Sequence, residues 1–354
     1  MSGEQVLLGM SGGVDSAAAA ALLRQAGYVP VGCTLRLFDG EDPASASRQE
    51  EDARAVCAHL GIEFVPFRAT EAFRRRVLDD FVASYAAGRT PNPCVQCNRY
   101  VKFPALLELA DRLGIPFIAT GHYARTDYDA AARRWRLLRG TDRRKDQSYF
   151  LYPLTQEQLS RLKLPVGGMC KPQVRAAARE LALPCAQKAD SQDICFIPDG
   201  DYMAFLRQYG GLEPVPGDFV DSQGRVLGRH QGQERYTTGQ RRGLGVSADR
   251  PLYVLGKDAA SHTVVLGDDC QLYRSTVLVE GFHWVSLPPR TEPLAVAAKT
   301  RYSQWEASAT LYPEADGRAT VVFDQPQRAV TAGQSLVAYI GEAVVGGGVI
   351  RGAE

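Results

Sequence analysis

The sequence predicts an α/β N-terminal domain built on a parallel sheet, then a small central domain and a C-terminal antiparallel β-barrel. Three observations carry this reading. Strand-like and helical segments alternate through the first half, a glycine-serine loop follows the first strand, and from about residue 214 the texture changes to short strands between turns. The first strand is the apolar run Val6-Leu7-Leu8, and Ala17-Ala18-Ala19-Ala20-Ala21-Leu22-Leu23 is the helix that answers it. Val29-Pro30-Val31-Gly32-Cys33-Thr34-Leu35 reads as a second strand, residues 48–60 as a charged amphipathic helix and Glu63-Phe64-Val65-Pro66-Phe67 as a third strand. Helical spacing returns over residues 71–85 and 103–113, and Phe117-Ile118-Ala119-Thr120 is a further strand. Apolar strands alternating with helices imply a sheet covered on both faces, with ligands at the carboxyl ends of its strands. The loop after the first strand and Gly121-His122-Tyr123 after the later one fall on that edge. Pro214-Val215-Pro216-Gly217-Asp218 and Asp221-Ser222-Gln223-Gly224 mark turns, and strand-like segments at 277–279, 294–299, 307–311, 319–323 and 336–340 are spaced as in a small barrel. The expected division is residues 1–205, 206–271 and 272–354.

Composition excludes some classes. With 41 basic and 40 acidic residues the formal net charge is +1, so any nucleic-acid surface must be a local patch. The N-terminus lacks a charged segment followed by an apolar signal core, and no stretch approaches the roughly 20 apolar residues of a membrane span. The expectation is a cytoplasmic protein without membrane attachment. In such a compartment the eight cysteines are chemistry, metal ligands or packing rather than a disulfide framework.

Met10-Ser11-Gly12-Gly13-Val14-Asp15-Ser16 joins the first strand to its helix. Backbone N–H groups of Gly12 and Gly13 can converge with the orphan donors of the helix N-terminus on a phosphate chain, and Ser11 and Ser16 add hydroxyls. The loop has no lysine to draw on a terminal phosphate, which argues against ordinary kinase or ATPase chemistry. A plain helix cap would use the same residue types, since Ser and Asp are favoured there. The strand-to-helix context favours a pyrophosphate cradle. Ser-Gly-Gly-x-Asp-Ser resembles the PP-loop of ATP pyrophosphatases, which split ATP into AMP and pyrophosphate; that resemblance implies a Rossmann-like fold, with Asp15 holding Mg2+ on the departing pyrophosphate.

Thr90-Pro91-Asn92-Pro93-Cys94-Val95-Gln96-Cys97-Asn98-Arg99 is rich in Pro and Asn, so a loop with accessible cysteines is expected. Alone, the C-x-x-C of Cys94 and Cys97 suits a redox centre, half a metal site or coincidence. Cys195 lies far along the chain in Asp190-Ser191-Gln192-Asp193-Ile194-Cys195-Phe196-Ile197, where it reads equally well as a small buried hydrophobe. Together with the glycine loop, these segments closely resemble the tRNA-specific 2-thiouridylases over nearly the whole chain. Further matching stretches are Lys145-Asp146-Gln147-Ser148-Tyr149-Phe150-Leu151, Thr238-Gly239-Gln240-Arg241-Arg242-Gly243-Leu244 and Lys299-Thr300-Arg301-Tyr302.

What the resemblance implies is ATP-dependent replacement of an oxygen of the wobble uridine of tRNA by sulfur. Its ATP site would comprise Gly9, Met10, Ser11, Gly12, Gly13, Val14, Asp15 and Ser16, with Leu35 and Gly121. Cys195 would carry a persulfide, Cys97 would attack it or resolve the intermediate, and a Cys97–Cys195 disulfide would be a transient product. A sulfur-donor protein, a cysteine desulfurase or a relay carrier, is the implied partner besides tRNA. Where many members have aspartate in Asn-Pro-Asp, this chain has Cys94, so Cys94, Cys97 and Cys195 could instead hold an iron-sulfur cluster, as in some related tRNA thiolases.

For RNA, the densest basic region is Arg133-Arg134-Trp135-Arg136, Arg139 and Arg143-Arg144-Lys145, which suits phosphate neutralisation or a solvated hairpin. The resemblance implies tRNA contacts at Asn98, Arg99, His122, Lys145, Asp146, Gln147, Arg301, Tyr302 and Gln334. A PP-loop ligase that adenylates a small metabolite would explain the glycine loop but would leave the cysteines unused.

Overall fold

The computed structural model describes residues 3–38, 43–189, 194–197 and 200–354, and in residues 43–47 the backbone alone. Along the first half run β1 (Gln5–Gly9), α1 (Val14–Gln25), β2 (Val29–Arg36), α2 (Pro43–Leu60) and β3 (Phe64–Arg68). A helical stretch follows as α3 (Thr70–Phe73), a π-helical turn and α4 (Asp79–Ala86). Next come α5 (Pro93–Cys97), a second π-helical turn over Asn98–Lys102, α6 (Phe103–Arg112) and β4 (Phe117–Thr120). The hairpin β5 (Ala124–Asp129) and β6 (Arg134–Arg139) precedes α7 (Ser148–Leu151), α8 (Gln156–Arg161), β7 (Leu162–Lys163), α9 (Lys171–Glu180) and α10 (Tyr202–Gly210). Strands β1, β2, β3, β4 and β7 form one parallel sheet in the order β3-β2-β1-β4-β7.

Alternation along β1 explains the layers. Val6 and Leu8 pack with Val14, Ala17, Ala53 and Val56 on one face, whereas Leu7 packs with Phe103, Leu106 and Ile118 on the other. Ala17, Ala18, Ala19 and Ala20 are fully buried, and their small side chains let α1 lie close against the sheet.

The central part carries β8 (Gly217–Val220), β9 (Val226–His230), β10 (Tyr253–Asp258) and β11 (Thr263–Gly267) in the order β10-β11-β8-β9, around Phe219, Val254, Val264 and Leu266. The last part carries β12 (Tyr273–Trp284), β13 (Leu294–Lys299), β14 (Ala307–Pro313), β15 (Ala319–Arg328), β16 (Ser335–Ile340) and β17 (Ala343–Ala353). These run β12-β15-β14-β13-β16-β17, and the β12–β17 pairing closes the barrel.

Sequence reading anticipates five of these six strands and misses β17. Its Gly346-Gly347-Gly348 run lacks the β-branched signal of a strand. The glycines serve close approach: a Cβ at Gly347 would lie 2.6 Å from the Leu336 carbonyl oxygen and 3.0 Å from the Tyr152 ring.

The basic hairpin is not a free surface feature. Strand β6 pairs with β17, so β5 and β6 extend the barrel sheet although they precede it by well over a hundred residues. Arg139 is buried, lies 3.9 Å above the Tyr339 ring and forms an ion pair with Glu306, which Arg143 shares. Arg136 is held by Asp127, and Arg125 by Glu342. Much of the positive charge expected to face phosphate is therefore spent within the chain.

Replacing Arg139 with Ala leaves Glu306 with Arg143 alone and empties the space over Tyr339. We expect a loss of about 3 kcal/mol, read as a lowered urea midpoint; an unchanged midpoint would mean that hairpin and barrel hold together without this pair.

Candidate functional site

The carboxyl edge of the parallel sheet gathers the loop after β1, the exit of β4 and the start of α9. The Met10 N–H donates to the Cys33 carbonyl at 2.7 Å, and the Thr34 hydroxyl donates to the Met10 carbonyl at 3.0 Å, so the loop is pinned to β2 just before half-buried Leu35. Gly12 has φ +68°, and a Cβ there would sit 2.6 Å from Cβ of Asp52. Ser16 Oγ donates to the Gly13 carbonyl at 3.1 Å and accepts from the Ser11 N–H at 3.3 Å. Gly13, at the N-cap of α1, brings no side chain to cap the helix, so the first-turn N–H groups remain for an anion. Gly121 abuts that same turn: a Cβ there would lie 2.8 Å from the Ser16 nitrogen.

Asp15 is already engaged. Lys171 Nζ donates to its two oxygens at 2.7 and 2.9 Å, and the Tyr123 hydroxyl donates at 2.7 Å. Lys188 Nζ reaches the Gly12 carbonyl at 3.4 Å and pairs with Asp52. The loop sequence has no lysine, yet folding brings two to it. One signal could have exposed Lys171: it opens α9, where the helix dipole disfavours a cation, and it is buried there.

The cysteine segment departs from the expected loop. Pro93 stands in the first turn of α5, where proline initiates a helix, and the Asn92 side chain caps it by accepting from the Val95 N–H at 3.4 Å. The helix turns Cys97 inward, so it is buried while Cys94 remains exposed.

Cys195 is exposed, but the next two residues, Phe196 and Ile197, pack in the same apolar cluster as Cys97, Val101 and Ala105. The structure thus brings together the two distant cysteine segments. Residues 190–193 of the second motif lie outside the described residues.

Desolvation by the surrounding protein pushes the Cys97 thiol up to about 11 and, although the Cys195 residue keeps exposed surface, its thiol up to about 12, with neighbouring thiols contributing to both shifts. Crowding by protein atoms also raises the Cys94 thiol although that residue keeps exposed surface, and Lys102 is the cation that opposes the rise at all three. Among the described residues, no three His, Cys, Asp or Glu side chains form a group placed to hold one metal ion.

The residues expected at RNA are largely occupied within the chain. Asn98 is buried and donates to the Phe150 carbonyl at 3.0 Å. Asp146 is buried and accepts from the Gly140 and Ser148 N–H groups and the Ser148 hydroxyl at 2.9 to 3.1 Å. Half-buried Lys145 precedes it, and Gln147 accepts from the Tyr123 N–H at 2.9 Å. The His122 ring bonds Thr120 Oγ1 at 2.7 Å and stacks on Phe103, and burial drives its pKa well down, so it is neutral.

In the barrel, Arg301 donates to the Thr238 and Ala329 carbonyls at 3.0 and 2.7 Å. Gln334 donates to the Thr90 and Pro91 carbonyls, both at 3.1 Å. Tyr302 keeps 36% of its surface exposed beside Phe150, and Arg99 lies 5.1 Å over the Tyr100 ring.

Comparison with known proteins bears on all three parts. Residues 4–199 match the tRNA methyl transferase HUP domain family, 203–268 the tRNA methyl transferase PRC-barrel domain family and 274–350 the aminomethyltransferase beta-barrel domain family. The chain is 49% identical over 358 residues to the tRNA-specific 2-thiouridylase MnmA of Acidithiobacillus ferrooxidans, covering 100% of both chains. It is 45% identical over 359 residues to that of Acetivibrio thermocellus, covering 99% of this chain and 100% of the relative. A solved 4-thiouridine synthetase–RNA complex with bound ATP is 18% identical, with a TM-score of 0.37, covering 58% of this chain and 50% of that one.

The raised Cys97 thiol has a direct consequence. Alkylation requires the thiolate, so its rate at Cys97 should climb about tenfold per pH unit from 7 to 10 without levelling, followed by peptide mass spectrometry. A plateau near pH 9, as for a free thiol, would contradict the burial seen here.

Proposed function

The chain belongs to the tRNA-specific 2-thiouridylases, and we propose how its residues divide the ATP-dependent thiolation of tRNA. One observation carries the proposal: the apolar cluster around Cys97 contains the residues that follow Cys195, which supports the two thiols acting together in a domain whose sheet edge bears a loop suited to an anion.

In this reading the substrate is MgATP together with the wobble uridine. The base oxygen attacks the α-phosphorus of ATP; the bond to the β-phosphate oxygen breaks and pyrophosphate leaves, held by loop N–H groups of residues 12–15 and the Ser11 and Ser16 hydroxyls. Carbon 2 then carries AMP as a leaving group. A sulfur-donor protein has left a persulfide on Cys195. Its terminal sulfur adds to carbon 2, AMP departs, and Cys97 attacks the bridging Cys195 sulfur. That step forms the Cys97–Cys195 disulfide, releases the thiocarbonyl and leaves a disulfide for a cellular thiol to reduce. Cytoplasmic tRNA fits this role; no helix among the described residues is long and apolar enough to cross a membrane.

Asp15 and Lys171 are assigned opposite charges in one step. Lys171 pairs with Asp15 in the structure; with MgATP, Asp15 would turn to the metal and Lys171 to the phosphate chain. His122, being neutral, would offer a hydrogen bond rather than a charge. We keep tRNA contact for the exposed Tyr302 ring and the basic Arg99, which suit stacking and phosphate.

The test is mass spectrometry of wobble nucleosides after incubation with MgATP, a sulfur donor and unmodified tRNA. Cys97→Ser and Cys195→Ser should each abolish 2-thiouridine while retaining ATP binding; thiolation surviving in either would remove that residue from the pathway. Iron and sulfide analysis of anaerobically purified protein tests the cluster alternative, and stoichiometric iron required for activity would replace the persulfide route. Lys171→Met should slow tRNA-dependent pyrophosphate release about 100-fold, measured in single turnover; an unchanged rate would leave Lys171 a structural counter-ion.

A further inference from the structure

A helix of one turn cannot hold itself in place, because fixing its backbone gains almost no internal hydrogen bonds. Helix α5, which bears Cys94 and Cys97, is such a helix. Its position is set by what grips the residues on either side. On the far side, Asn98 is tied to α7 through the Phe150 carbonyl.

On the near side the grip comes from the C-terminal barrel. The Thr90 N–H donates to the Ala332 carbonyl at 3.1 Å, and the Gln334 amide donates to the Thr90 and Pro91 carbonyls, both at 3.1 Å. The Tyr149 hydroxyl, which the Asn92 side chain also reaches, donates to the Ser335 carbonyl at 2.9 Å. Gly333 has φ +91°, and a Cβ there would lie 2.8 Å from the Thr90 carbonyl oxygen. The strap therefore touches the chain so closely that a single methyl group would push it away.

We propose that the barrel strap at residues 332–335 is a positioning element for the sulfur site, with Gln334 as its principal residue: it seats helix α5 and thereby sets where the Cys97 sulfur stands relative to Cys195. Three consecutive residues before the helix, Thr90, Pro91 and Asn92, are bound through the strap or through a tyrosine attached to it. The barrel is thus part of the catalytic assembly in the absence of RNA. This inference rests on the reading that Cys97 handles sulfur.

The experiment compares the full-length parent with Gln334→Ala and Gly333→Ala. The first deletes two donors and the second displaces Thr90 by contact. Two quantities are read: the alkylation rate of Cys97 without tRNA, by peptide mass spectrometry, and kcat and KM for tRNA thiolation. The expected result is Cys97 alkylation faster by about fivefold or more in both variants, with kcat lowered about tenfold.

Unchanged alkylation with a raised KM for tRNA and unaltered kcat would overturn the proposal and make Gln334 solely an RNA contact. Altered alkylation with unaltered kcat would sustain the seating of α5 and instead remove Cys97 from the sulfur step. Thermal melting separates these outcomes from unfolding, and a Gly333→Ala chain that does not fold leaves Gln334→Ala to decide.

Discussion

The parallel pairing of β1 with β4 is the constraint from which the rest follows. It sets Gly9 beside Thr120, so the loop after one strand and the glycine after the other leave the sheet at the same edge. Gly121 can then lie against the first turn of α1, where any side chain would collide with backbone. The helix N-terminus is held open toward the edge by that contact, and its dipole meets a site lined by Asp15, Tyr123 and Lys171. Without the pairing, neither anion binding nor the approach of α9 would have a fixed geometry.

Barrel and sheet are one mechanical body. Leu7, Phe103 and Ile118 of the α/β layers share an apolar cluster with Tyr149, Tyr152, Val337 and Tyr339, which leads across the junction into the barrel. Polar ties follow the same route: the β6 edge joins β17, Arg139 pairs with Glu306, and the 332–335 strap binds the residues before α5. A junction with a large apolar content and buried ion pairs does not behave as a flexible linker. The barrel consequently supports the thiol helix from behind while its outer rim, at Tyr302, stays open.

Legibility in the sequence followed the range of the interaction. Four of the five strands of the parallel sheet carry their own apolar pattern, and the glycine-serine loop carries its own chemistry, so both could be read within a dozen residues; the two-residue β7 was too short to show one. A link between Cys97 and Cys195 was not readable from spacing and came from resemblance; what the structure adds is that Cys97 shares an apolar cluster with Phe196 and Ile197, the residues after Cys195. Strand β17 escaped because close packing selected glycines over strand formers. Lys171 escaped because its partner, Asp15, is 156 residues away. The basic hairpin was only half legible for a related reason: composition shows the arginines but not the Glu306 and Glu342 that pair with Arg139 and Arg143.

The two halves of the site differ in how charge is managed, and that difference orders the chemistry. At the loop, Asp15 and Lys171 form an ion pair, and on the proposed reading ATP would meet a preformed electrostatic environment and exchange one set of partners for another. At the thiols, desolvation favours the protonated form, most plainly at buried Cys97, and Lys102 is the cation that opposes the rise at all three. A resting thiol in that setting is a poor nucleophile and a poor target for adventitious alkylation or oxidation. On the proposed route, a persulfide on Cys195 together with the anionic tRNA would change the charge around these thiols. On that route, activation of the base would proceed in a ready-made site, whereas the sulfur step would wait for the complex that creates its reactive form.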